Sequence, residues 1–109
     1  MQRDYKIYAE DIVEAIEKIE TYTMGMSYEE FEENQLVTDA VVRNLEIVGE
    51  AVKNIPEEIK KEHRDIPWKK IADLRNIISH KYFGIDQKII WEIIQTKLSS
   101  LKEAAHKMI

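Results

Sequence analysis

An arginine, an asparagine, a histidine and a tyrosine crowd one short stretch, Leu74-Arg75-Asn76-Ile77-Ile78-Ser79-His80-Lys81-Tyr82-Phe83-Gly84. Gathered at a helix end, those side-chain types suit a phosphodiester. Arg75 offers a planar fork that can hold phosphate oxygens and stabilise charge developing in the transition state. His80 has the side-chain type that titrates near neutrality, so it can remove or return a proton. Asn76 can fix the His80 tautomer or bond the same phosphate, and Lys81 adds a cation to position the strand. Tyr82 brings a phenol into the following turn. The simplest RNA cleavage that uses no metal takes the ribose 2′-hydroxyl as internal nucleophile and leaves a cyclic phosphate. That reaction needs both an acid and a base, whereas one chain supplies one well-placed histidine. A symmetric dimer with two copies of the turn across a shared cleft would supply both.

The same residues have structural explanations. Asn76 and His80 are four apart and share a helix face, but Arg75 and His80 diverge by roughly 140° in an ideal helix. They converge only if the last turn loosens. Arg75 could instead pair with Asp39, Glu46 or Glu50 of a neighbouring helix. His80 could simply favour a helix C-terminus through the dipole. Tyr82-Phe83 could close over the helix end as an apolar clasp with the Tyr82 hydroxyl kept wet. From spacing alone, these explanations outweigh the catalytic one.

The scaffold reads as one domain, residues 1–109, long enough to bury a single core without staples. There is no cysteine, so a disulfide framework and a thiolate metal site are both excluded. Histidines at 63, 80 and 106 do not make a zinc pattern, and no metal or cofactor is expected. The charged N-terminus and the lack of a membrane-length apolar run make a cytoplasmic location the expectation. A net charge of −5 argues against a non-specific nucleic-acid coat. Its distribution is uneven, with 5 Lys/Arg against 15 Asp/Glu in residues 1–59 and 11 against 6 in residues 60–109. The second half therefore leaves room for an anionic partner.

Helical periodicity runs through most of the chain. Tyr5, Tyr8, Ile12, Ile16 and Ile19 mark a helix from about Asp4 to Thr23, ended by Gly25. Ser27-Tyr28-Glu29-Glu30 is a capping-box pattern that opens a short acidic helix through Phe31 to about Asn34. From about Gln35 to Asn54, an apolar seam of Val37, Val41, Leu45, Val48, Val52 and Ile55 is flanked by a charged stripe. The stripe is Asp39, Arg43, Glu46, Glu50 and Lys53. It is either a row of exposed ion pairs or the edge of the core, where charges reach inward to support the arginine and histidine. Gly49, costly in a helix by about 1 kcal/mol, asks for a close neighbour. Pro56 stops this helix, and Glu57 to His63 forms a connector. A fourth helix runs from Pro67, in its first turn, to about His80. The last starts with Asp86 as N-cap and continues to the C-terminus. The expected fold is all-α, an antiparallel four-helix bundle with one or two short extra helices.

Arg75-Asn76-x-x-x-His80-x-Tyr82 resembles the R-x-x-x-x-H-x-Y signature of the HEPN superfamily, in the form carried by HepT-like toxins. The Asp39…Arg43…Glu46…Gly49-Glu50-Ala51 stretch is similar to that family's second helix motif. Ile66-Pro67-Trp68 and Phe83-Gly84-Ile85-Asp86 fit its flanks, so the resemblance covers nearly the whole chain. It implies a helical homodimer or higher assembly with two signatures lining one cleft. It also implies a metal-independent endoribonuclease toxin with Arg75 and His80 at the catalytic positions. The partner it implies is a minimal nucleotidyltransferase antitoxin that can transfer AMP from ATP onto Tyr82. The alternative is a non-catalytic helical module that docks the nucleotidyltransferase, with Glu29, Glu30, Glu32 and Glu33 as a candidate face.

Overall fold

Apolar residues at helical spacing decide the architecture: Ile12, Ile16 and Ile19 of one helix and Val41, Leu45, Val48 and Val52 of another all reach zero exposure. The computed structural model describes residues 4–74 and 87–109. Every regular element among them is helical, as expected. Helix α1 spans Lys6–Thr23, α2 Tyr28–Glu33 and α3 Gln35–Lys53. Helix α4, Glu57–Lys60, runs into a 3₁₀ turn at Lys61–His63, and α5 is Trp68–Ala72. The C-terminal part holds α6, Gln87–Thr96, and α7, Leu98–Met108. Helix α1 packs against α3 and α7, α3 also packs against α5, and α6 meets α2. None of the described helices is long and apolar enough to cross a membrane.

Local chemistry sets the early boundaries. After α1, Met24 (φ −55°, ψ 125°) and Gly25 (φ 74°) form the centre of a turn closed by Met26 N–H donating to Thr23 O at 3.0 Å. That is a type II turn, whose third position needs positive φ and so favours glycine. Ser27 then caps α2 as its pattern predicts. The Glu30 amide donates to Ser27 Oγ at 3.2 Å, and the Ser27 amide donates to Glu30 Oε1 at 3.0 Å. Asn34, expected to end this helix, also starts the next by accepting from the Val37 amide at 3.0 Å. Gly49 is buried on α3.

The Ser27 amide, and then the Ser27 side chain, hold the Glu30 carboxyl below the usual glutamate range. A depressed carboxylate pKa contributes stability above its unfolded value and loses it as pH falls through the folded value. Glu30→Gln should therefore be less stable than the parent at neutral pH, and the two should converge in acid. Thermal melts of both proteins across that range check the sign. A gap that persists undiminished in acid would contradict it.

Three expectations need correction. The Glu57–His63 connector is helical, as α4 and the 3₁₀ turn. Pro67 precedes its helix instead of lying in the first turn: at φ −79° and ψ 72° it centres a tight turn in which Trp68 N–H donates to Ile66 O at 2.9 Å. Those angles and that bond define an inverse γ-turn. The fourth helix does not run on unbroken: α5 ends at Ala72 with Asp73 as its C-cap (φ −81°, ψ −4°), and positions 75 to 80 of the expected span lie outside the described residues.

The last helix is not continuous. It breaks at Lys97 (φ −113°, ψ −33°), although Lys97 N–H still donates to Ile93 O at 2.9 Å and Leu101 N–H to Lys97 O at 3.3 Å. The backbone ladder thus largely crosses the break. The reason is packing on two sides of the bundle. Trp91 of α6 lies on Phe31 and Tyr28, with ring centroids 5.2 and 6.3 Å away. Lys102 of α7 instead pairs with Glu20 of α1 at 2.6 Å. Fully burying Phe31 contributes about 1.5–3 kcal/mol, enough to hold α6 to this course.

Candidate functional site

Arg75, Asn76, His80, Lys81 and Tyr82 lie outside the described residues, as do Phe83, Gly84 and Asp86. What the structure describes is how the chain is held on each side of them, and what faces the groove along α3.

On the N-terminal side, the Pro67 turn aims Trp68 back at the preceding connector. Its indole Nε1–H donates to Lys60 O at 3.2 Å and to His63 O at 3.0 Å. Those carbonyls end α4 and the 3₁₀ turn, where helix carbonyls lack intrahelical partners. One half-buried ring thereby ties both to the entry of α5, with His63 O shared between the indole and the Ile66 amide at 3.2 Å. Ile66, Ile71 and Leu74 are buried, so the chain is seated in the core up to the residue before Arg75.

On the C-terminal side, Gln87 is bound at long range. Its Nε2 donates to Glu32 O at 3.1 Å and to Thr38 Oγ1 at 3.3 Å. The Thr38 hydroxyl in turn donates to Phe31 O at 3.2 Å and is 2% exposed. A short polar relay therefore ties the first residue of α6 to the α2–α3 junction.

The charged stripe of α3 faces outward. Asp39, Arg43 and Glu50 are exposed and Glu46 is half-buried. Asp39 Oδ1 accepts from Gln35 Nε2 at 2.7 Å. Glu50 approaches Lys53 at 4.0 Å, the limit of an ion pair. No ion pair joins Arg43 to Asp39, Glu46 or Glu50 among the described residues.

Arg43, Glu46, Glu50 and Asn54 share a groove of about 350 Å³ with Tyr8 and Asp11 of α1. Among the described residues three of its carboxylates stand against one guanidinium, a balance that disfavours a polyanion and suits a cation. Exposed cations gather instead at Lys61 and Arg64, before α5, and at Lys69 and Lys70 within it. Beside them is an apolar cavity of about 350 Å³ between α5 and the α6–α7 bend, walled by Ile71, Leu74, Ile93 and Leu98 with Lys70 and Lys97 at its edge. Among the described residues no cluster of three or more His, Cys, Asp or Glu side chains could hold a metal ion.

Several contributors escaped sequence reading. Tyr8, at helical spacing with Ile12 and Ile16 of α1, is half-buried at the groove wall. Asn54 extends the α3 stripe by one further step of four, whereas Asp11 joins that wall from α1, which single-helix periodicity does not reveal. Gln87 and Thr38 have no local signal, because their bond spans 49 positions.

A model of the family described as "Ribonuclease HepT-like" matches residues 12–108. Among similar proteins, a "Probable ribonuclease HepT" of Thermococcus cleftensis is 43% identical over 108 residues, covering 99% of this chain and 98% of that one. A "Gamma-glutamylcyclotransferase and putative RNase" of Methanocaldococcus jannaschii is 42% identical over 108 residues, and this chain spans only 49% of its length. No solved structure matches.

Proposed function

The chain belongs to the HepT-like ribonuclease family, and from that premise we propose that it is a metal-independent endoribonuclease toxin whose cleavage site is completed by a second copy. The observation that carries the reading is the run Arg75-Asn76…His80-Lys81-Tyr82, which falls inside the stretch the family model matches. Arg75 grips the scissile phosphate, with Asn76 and Lys81 positioning the strand. His80 of one copy takes the proton of the ribose 2′-hydroxyl as its oxygen attacks phosphorus. The bond from phosphorus to the 5′-oxygen breaks, and His80 of the second copy returns a proton to that leaving oxygen. The products are a 2′,3′-cyclic phosphate and a 5′-hydroxyl. Asp39, Glu46 and Glu50, with Arg43 among them, form the charged support that keeps the guanidinium aligned.

A minimal nucleotidyltransferase partner switches the toxin off. The Tyr82 hydroxyl attacks the α-phosphate of ATP, pyrophosphate leaves, and AMP stays on the phenol. The added phosphate lies close in sequence to His80, where it competes with substrate phosphate and repels it.

Incubating purified protein with bulk cellular RNA in excess chelator tests the chemistry. Cleavage should persist, and every new 3′ end should carry a cyclic phosphate. Cleavage that stops with chelator and returns with a divalent ion would refute the mechanism. No cleavage by a protein that still binds its nucleotidyltransferase would leave the docking module as the better account.

A further inference from the structure

We propose that the groove between α1 and α3 is a binding site for a linear aliphatic polyamine, with the Asn44 carbonyl as its buried acceptor. This site does not depend on the ribonuclease reading. Past Asp11 and Ile47, the groove continues into a second lobe of about 220 Å³, lined by Asn44 and Ala15 with the exposed Glu14 and Lys18 beside them. Asn44 is 7% exposed and sits in the middle of α3, where asparagine is a poor helix former. Its Nδ2 donates to Ala40 O at 2.9 Å. A backbone carbonyl accepts only from the amide nitrogen, so that bond sets which way the side chain is turned and leaves Oδ1 facing away from it. Oδ1 accepts no hydrogen bond among the described residues. Every side-chain nitrogen or oxygen sealed from solvent among those residues does have a partner. The Asn44 oxygen is therefore open, and the opening it lines is the groove.

The unmet charge around that oxygen defines the ligand. Glu14 pairs with Lys18 at 3.2 Å, whereas Asp11 and Glu46 make no ion pair among the described residues. A second copy of the groove would set carboxylate against carboxylate, and a polyanion would be repelled. A compact metal ion needs converging oxygen ligands, and no cluster of three or more His, Cys, Asp or Glu side chains among the described residues supplies them. The carboxylates are instead strung out, Asp11 on α1 and Glu46 on α3, with the half-buried Ile47 common to both lobes. A polyamine has the matching alternation. Its ammonium groups meet the carboxylates, its methylenes cover Ile47 and Ala15, and one N–H reaches Asn44 Oδ1.

Calorimetric titration of the full chain with spermidine, with no RNA present, tests the site. One saturable site per chain should appear, and magnesium at equal charge should displace little of the bound spermidine. Asn44→Leu removes the acceptor and should weaken binding about tenfold or more, as expected for a hydrogen bond from a charged donor. Asp11→Asn and Glu46→Gln should each weaken it about two- to fivefold, the scale of exposed ion pairs. Glu103→Gln, exposed on α7 outside the groove, should bind as the parent does. In nuclear magnetic resonance spectra of the parent, the Asn44 side-chain amide signals should move on addition of spermidine.

Heats that never saturate would overturn the site, and so would magnesium displacing spermidine charge for charge, since either result means a diffuse ion atmosphere. Parent affinity in a folded Asn44→Leu protein would overturn it as well. Should Asn44→Leu fail to fold, Asp11→Asn and Glu46→Gln decide the question. No loss in either, or an equal loss in Glu103→Gln, would refute a defined groove.

Discussion

Replacing His80 with alanine should slow RNA cleavage by about 10²–10⁴-fold, the usual contribution of a positioned acid or base. Arg75→Ala should cost about 10²–10³-fold, comparable to deleting one charge-stabilising donor. The two losses have different remedies. Arg75→Lys keeps the charge without the fork and should recover only part of the rate. No such substitute exists for His80, because no other side chain titrates near neutrality without a perturbed environment. Initial rates on labelled RNA measure both effects, with circular dichroism and elution volume confirming that the bundle is intact. Full cleavage by either alanine variant would remove that residue from the chemistry. Full toxicity in cells would carry the same message.

Tyr82→Phe should cleave RNA as well as the parent and ignore the nucleotidyltransferase. The parent, incubated with that partner and ATP, should fall to background. A magnitude shows what the switch requires. Residues two apart have Cα atoms at most about 7 Å apart, and a unit charge at that distance is worth about 2 kcal/mol at an effective dielectric of about 20. One added charge thus weakens phosphate binding by about thirtyfold. A complete block also needs the nucleotide to fill the site. Mass spectrometry after the incubation locates the adduct. Modification at another residue, or a Tyr82→Phe protein that is still silenced, would take Tyr82 out of the switch.

Local chemistry made much of the bundle legible in advance. The Ser27–Glu30 reciprocal cap, the turn at Gly25 and the Val41–Val52 seam depend on residues within a few positions of each other, so one sequence displays them. The break at Lys97 was not legible. No proline or glycine stands there, and Ile93, Ile94, Leu98 and Leu101 keep helical spacing straight through it. The bend comes from α6 seeking α2 while α7 seeks α1, a contest between partners distant in the chain. The candidate site divides along the same line. Its residue types and order are read directly from positions 75 to 82, which lie outside the described residues. The bonds that hold either side of them, from Trp68 and from Gln87, emerge only in three dimensions. The α3 stripe shows a further limit. Its periodicity was visible, but periodicity could not distinguish internal pairing from a groove shared with Tyr8 and Asp11.

The central claim is that acid and base come from different copies of the chain, and a covalently joined tandem dimer tests it most directly. With His80→Ala in only one of its two halves, every cleft has lost either its acid or its base. The account predicts a rate far below half that of the unaltered tandem protein, close to that of the doubly substituted one. Half the parent rate would mean that each copy cuts RNA alone, and would contradict the shared site.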